Sequence, residues 1–239
     1  MAKTFDLKDD SLVVVVGSGA GGGTLSNELA QRGINVVCLE AGSRLILADI
    51  INDNGTMFSR LSWLDKRIGT GDLNAALPLW VCKTVGGTTV HWAGASLRFQ
   101  EHEFRGRSVY GNIAGAKLLD WPITLAELEP FYARAEDKLG VTGTADIPRL
   151  PGNNNFKVMA AGAKRLGYKD VHTGNMAINS QPRDGRPACQ QIGFCMSGCA
   201  IGAKWSTLHA EIPKAESTGR FELRPDSMVV KINQTATAR

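Results

Sequence analysis

The sequence predicts an α/β fold that opens on a strand–turn–helix–strand unit, and three observations carry that prediction. A continuous run of apolar, mostly β-branched residues, Leu12–Val16, leads directly into a glycine-rich turn and a helical stretch. A second apolar strand, Asn35–Leu39, ends on an acid, Glu40. Helical patterns then alternate with loops until a last strand-like segment, Phe221–Ile232.

An unbroken run such as Leu12–Val16 suits a strand buried on both faces. Gly17, Gly19 and Gly22 follow as G-x-G-x-x-G, with Ser18 and Ala20 between them. A helix extends from there to about Arg32, with Gly33 at its C′ position. In this pattern the first glycine permits the turn out of the strand, and the second lets a pyrophosphate approach the backbone. The third lets helix and strand pack closely. The helix N-terminus offers unpaired N–H groups and the positive end of its dipole to the phosphates. Glu40 and Ala41, at the end of the second strand, sit where ribose hydroxyls are bound, with Glu40 accepting their hydrogen bonds. Strand, glycines, helix and acid occur in the right order, which makes this a Rossmann-type dinucleotide unit. The motif does not distinguish FAD from NAD.

From Arg44 to Leu79 the pattern is weak and predicts loops and short helices over the nucleotide. Next comes "VCKTVGGTTVHWAGASLRF", with Gly86, Gly87, Thr88, His91 and Trp92. Thr124 and Glu127 form a capping box for a helix that Gly140 ends. "VTGTADIPRLPGNNN" is a linker-like stretch. Helices are expected over about Phe156–Leu166 and Thr207–Ser217. The expected organisation is residues 1–120 as the N-terminal part of the nucleotide-binding domain. Residues 121–239 are expected as a helical region with a cysteine-rich loop and a final strand.

The bulk numbers exclude several classes. Net charge is +4, with basic residues scattered, so no nucleic-acid or membrane patch is read from charge. No window approaches the ~20 apolar residues of a membrane span, and the N-terminus carries no visible export signal. Five cysteines are too few for a disulfide scaffold at this length. Cys189, Cys195 and Cys199, gathered within "RPACQQIGFCMSGCAIGAK", read as metal ligands or a redox site. Cys38 lies inside a strand and reads as a core residue. His102 and His172 read as exposed, and Trp121 as a packing anchor at a helix start.

Together, "VVVVGSGAGGGTLSNELAQRGINVVCLEAG", "GGTTVHW" and "DWPI" resemble the glucose–methanol–choline (GMC) oxidoreductases, FAD enzymes that oxidise alcohols. "GRPACQQIGFCMSGCAIGAK" resembles the bacterial branch holding the FAD-dependent glucose, gluconate, sorbitol and fructose dehydrogenases. The resemblance implies an FAD-binding domain of Rossmann type with the start of a substrate-side region. It implies a 3Fe–4S cluster on the C-x5-C-x3-C thiols, Cys189, Cys195 and Cys199; a Cys3His zinc site using His209 is the alternative. It also implies that the Gly86–Gly87 segment lies along the flavin side of FAD. There His91 is either bonded covalently to the flavin or packed against it without a bond.

The implied reaction is oxidation of a CH–OH group in a sugar, sugar acid or polyol. Electrons would leave through the cluster to a multihaem cytochrome c subunit and then quinone. That partner and a small signal-bearing subunit would place the assembly on the periplasmic membrane face; a cytoplasmic protein is the alternative. The family's catalytic base belongs to a C-terminal part with no counterpart here, so the chain reads as an N-terminal half, and alone it is expected not to turn over substrate. Two other classes remain open from the residues: an NAD-linked reductase, which leaves "GGTTVHW" unexplained, and a non-catalytic flavin- and metal-binding electron-transfer module.

Overall fold

A computed structural model of the chain describes residues 4–61 and 81–233. In chain order the elements are β1 (Val13–Val16), α1 (Ala20–Gln31), β2 (Val36–Leu39), α2 (Asn54–Leu61), α3 (Glu101–Phe104), α4 (Gly106–Tyr110), α5 (Leu125–Leu139), α6 (Asn154–Arg165), α7 (Glu211–Ser217) and β3 (Phe221–Arg224). Short 3-10 turns lie at Leu47–Asp49, Gly87–Val90 and Cys195–Ser197.

Two compact packing units emerge, one of residues 1–93 and 190–239, the other of residues 94–189. These units divide the chain elsewhere than at residue 120, and the first is assembled from two separated stretches. The reason is in the sheet: β3 completes it from near the far end of the chain. The strands run parallel in the order β1-β2-β3, with Val36 opposite Val13 on one side and Phe221 on the other. Val36, Val37 and Cys38 are fully buried, as a central strand of β-branched residues should be. The core joins Val36 and Cys38 to Ala30 of α1, Met57 and Leu61 of α2, Ile212 and Ala215 of α7, and Leu208.

Several expected boundaries hold. Arg32 caps α1 and Gly33 follows with φ +81°, the left-handed turn that glycine adopts without a Cβ penalty. In the second unit, Thr124 Oγ1 accepts the Glu127 amide while the Glu127 carboxylate accepts the Thr124 amide, and Gly140 closes α5 in αL.

Others are corrected. β1 is not buried on both faces: Val14 and Val16 are 44% and 56% exposed, because β1 is the edge of the described sheet. The last strand stops at Arg224 rather than Ile232. Pro225 has no N–H to donate, and Asp226 turns to φ +53° and bonds the Gly42 carbonyl. The helix expected from Thr207 starts only at Glu211; residues 207–210 before it form hydrogen-bonded turns, with the His209 and Ala210 amides both on the Ser206 carbonyl. Of the segment between Arg44 and Leu79, the 3-10 turn and α2 match the expected short helices; residues 62–80 lie outside the described residues.

The second unit buries Phe104, Val141, Ile147 and Ile178. Trp121 packs edge-on to Phe104 at 6.4 Å, the anchor expected of it, while remaining 55% exposed. Among the described residues no helix is long and apolar enough to cross a membrane.

Candidate active site

The site grows out of the turn after β1. The Gly17 amide donates to the Leu39 carbonyl (2.8 Å), and its φ of +86° swings the chain off the sheet into α1. Gly22 packs back on that turn; a Cβ there would stand 1.9 Å from the Gly17 oxygen. Gly19 is the N-cap of α1, offers no capping side chain, and the first turn of α1, beginning at Ala20, holds no acid. The helix therefore presents its first N–H groups uncapped, next to a glycine backbone. That arrangement suits a bound diphosphate.

Glu40 is buried, and its carboxylate is the hub of the turn. Its Oε2 accepts from the Ser18 amide (2.9 Å) and hydroxyl (2.7 Å), while Oε1 accepts from the Gly42 amide (2.9 Å). Ala41, half-buried, separates the two. The Ser18 hydroxyl in turn accepts the Gly86 amide (2.9 Å), so one serine links the first glycine motif to the second.

The second motif folds as a tight turn. Gly86 takes φ +93° and Gly87 φ +52°, and a Cβ on Gly87 would stand 3.0 Å from the Gly19 Cα. The two glycine motifs thus meet backbone to backbone. Thr88 is exposed, and its carbonyl accepts both the His91 amide (3.2 Å) and the Trp92 amide (3.0 Å). His91 is 5% exposed; burial first, then the positive charge of Lys204, holds its imidazole below the ordinary pKa, so the ring is neutral near pH 7. Trp92 stacks edge to face on Trp205 with centroids 6.1 Å apart.

Sequence reasoning missed the strip that supports this turn. Thr207 Oγ1 donates to the Ser18 carbonyl (2.7 Å), and a Cβ on Gly23 would stand 2.6 Å from the Thr207 Cβ. Lys204 is buried and donates to the carbonyls of Val90, Trp92 and Cys195. Glu211, also buried, accepts from Asn27 (2.6 Å) and the Trp205 indole (3.3 Å). The signal available was a lysine and a glutamate inside an otherwise neutral, apolar-flanked stretch, "AKWSTLHAE". Nothing local says what they face.

The three cysteines are divided between the two units. Cys189 lies in the second unit, its amide bonded to the Asn179 carbonyl (2.8 Å). Cys195 opens a 3-10 turn in the first unit, where the Cys199 sulfur accepts the Lys204 amide (3.4 Å). Among the described residues no group of three or more His, Cys, Asp or Glu side chains is placed to hold a metal ion, in the cluster or the zinc arrangement. Cys38 is the core residue expected; burial, aided by the Glu40 charge, pushes its thiol and that of Cys82 up to about 12. His102 and His172 are exposed, as read from their surroundings.

Residues 21–238 match the family model described as GMC oxidoreductase. The chain belongs to the GMC oxidoreductases. Among curated members it is 30% identical to the fructose dehydrogenase large subunit of Gluconobacter japonicus, over 95% of this chain and 47% of that protein. It is 31% identical to paromamine 6'-oxidase of Streptomyces fradiae, over 96% of this chain and 43% of that protein. The chain thus spans about half the length of these GMC relatives. Its fold is similar to that of an FAD-dependent oxidoreductase from Chaetomium thermophilum, with TM-score 0.52 at 14% identity, over 90% of this chain and 38% of that one.

Proposed function

We propose that this chain forms the FAD-holding part of a flavin-dependent oxidoreductase that acts on a CH–OH group of a sugar, sugar acid or polyol. The observation that carries the reading is the junction of its two glycine motifs. An uncapped helix N-terminus at Gly19 meets the Gly86–Gly87 turn across a gap only glycine allows, with buried Glu40 on one side and neutral His91 on the other.

In this reading the backbone at Ser18, Gly19 and Ala20 binds the pyrophosphate, and Gly17 and Gly22 hold that backbone in place. Glu40, already fixed by Ser18 and Gly42, orients its remaining lone pairs toward the ribose beside Ala41. The turn from Gly86 through Thr88 to Trp92 lies along the flavin. A neutral His91 keeps a lone pair on its ring, which a histidyl–flavin bond requires and a packed, non-bonded ring does not. When bound, FAD supplies the hydride acceptor. No catalytic base is assigned among these residues.

The substrate class follows relatives named for fructose and for paromamine. One of them is named as a large subunit, which supports a multi-subunit setting. There, electrons would pass to an external acceptor such as a multihaem cytochrome c, with a small signal-bearing subunit directing the assembly to the periplasmic membrane face. An iron–sulfur centre on Cys189, Cys195 and Cys199 has the C-x5-C-x3-C spacing in its support. Among the described residues no group of side chains is placed to hold a metal ion, and no step is routed through it.

The test is a visible spectrum of anaerobically purified protein with acid precipitation and iron and zinc analysis. Bound flavin is expected; flavin that stays with the precipitate would support the His91 bond, and flavin released would remove it. A colourless protein that takes up no FAD would overturn the reading. Iron that disappears in Cys195→Ser while flavin remains would restore the cluster.

A further inference from the structure

Residues 204–208 run alongside the 86–92 turn and touch it along its length. Leu208 packs against Gly86 so closely that a Cβ on the glycine would stand 2.9 Å from the leucine Cβ. The Thr207 amide donates to Thr89 Oγ1 (3.2 Å), and the Trp92 indole donates to the Trp205 carbonyl (3.0 Å). Lys204 is the only charged residue of the segment 204–208. It is 1% exposed, and its Nζ donates to the carbonyls of Val90 (2.9 Å), Trp92 (2.5 Å) and Cys195 (2.6 Å).

Carbonyls accept and cannot donate, so three of them around one nitrogen require three N–H groups. Only the ammonium form has three. Val90 and Trp92 are the two neighbours of His91. Their carbonyl dipoles converge on one point, an arrangement that repels itself unless a positive group stands there. We propose that Lys204 is a positioning residue of the flavin-side turn: by holding the carbonyls on both sides of His91 and tying them to the Cys195 backbone, it sets where the His91 imidazole stands. The inference rests on reading this turn as the flavin side, and it extends that reading to a residue outside both glycine motifs. It explains why a lysine is buried in a stretch whose other links to the turn are neutral. It also explains how a 3-10 turn of four residues keeps one shape beside a ligand that must approach it closely.

The test uses the whole chain and its amide hydrogen exchange. Lys204→Met keeps the stem and removes the donors. Lys204→Arg keeps a charged donor group. Val36→Ala, in the central strand, controls for a general loss of stability. Compared at equal protection of the sheet amides, the His91 and Trp92 amides should exchange about ten-fold faster in Lys204→Met than in Val36→Ala. Lys204→Arg should recover part of that protection, and the His91 ring resonances should move in Lys204→Met but not in Val36→Ala. Equal exchange in Lys204→Met and Val36→Ala would leave Lys204 a merely structural residue and overturn the proposal. One measurement on the wild-type chain needs no variant to fold: couplings across the hydrogen bonds from Lys204 Nζ to the carbonyl carbons of Val90 and Trp92. Their presence supports the grip, and their absence overturns it. Flavin uptake is scored separately with added FAD. A wild-type chain that holds none removes the functional reading, whatever the exchange data give.

Discussion

Adjacent glycines in α1 should respond to the same substitution with opposite signs. At Gly22 an added Cβ would stand 1.9 Å from the Gly17 oxygen and 3.2 Å from Val15 Cγ1. A carbon–oxygen contact ordinarily needs about 3.3 Å. Neither side of this one can yield easily. Gly17 is fixed by its bond to the Leu39 carbonyl and by a positive φ, and Gly22 sits inside the helix. Overpacking of this kind costs about 3 kcal/mol, or roughly 100-fold in the folded population. At Gly21 no heavy atom lies within 4 Å of the added Cβ. An alanine there removes backbone freedom from the unfolded chain and should stabilise by about 0.5–1 kcal/mol. The two variants should therefore differ by about 4 kcal/mol, summing those two effects. The assay is urea unfolding followed through exchange of the Val36–Leu39 amides, which report the first unit. If Gly22→Ala matched the wild type, or Gly21→Ala fell as far as Gly22→Ala, the close helix–strand contact assigned to the motif would be refuted.

Three further outcomes are expected. Glu40→Gln keeps the shape of the side chain but replaces one accepting oxygen by a donor facing either Ser18 or Gly42; it should cost about 1–3 kcal/mol and weaken FAD uptake, both measurable by titration. Thr124→Ala removes the N-cap of α5 and should cost about 1 kcal/mol in the second unit, seen as faster exchange in α5, with flavin uptake unchanged. Below its ordinary pKa of 6.5, His91 binds fewer protons folded than unfolded. Its contribution to stability is thus complete above that value and is lost as pH falls below it. His91→Gln should flatten the stability profile of the first unit between neutral pH and about 5, and an unchanged profile would show that another group titrates there.

Much of the first unit was legible because its signals are local. Gly17, Gly19 and Gly22 announce a turn, a close approach and a packing contact within six residues, and the T-x-x-E box of Thr124 and Glu127 announces a helix start. The strand limit failed where a distant segment competed. The segment after β3 bonds back to Gly42 and Glu40 instead of pairing on. The exposed side of β1 was illegible for the same reason. A run of valines reports that a strand forms, not which of its neighbours are present.

The chain's own text determined the dinucleotide turn, the acid at the end of β2 and the membership signalled by "GGTTVHW", since each depends on backbone conformation over a few residues. Tertiary structure alone decided that Ser18 joins the two glycine motifs, that Lys204 stands behind His91, and that Cys189 and Cys195 fall in different units. Those facts depend on segments separated by 68 residues or more, or on how the chain divides into packed bodies. Hydrogen-bond geometry across such distances is fixed by what the core excludes, and no short window of sequence carries it.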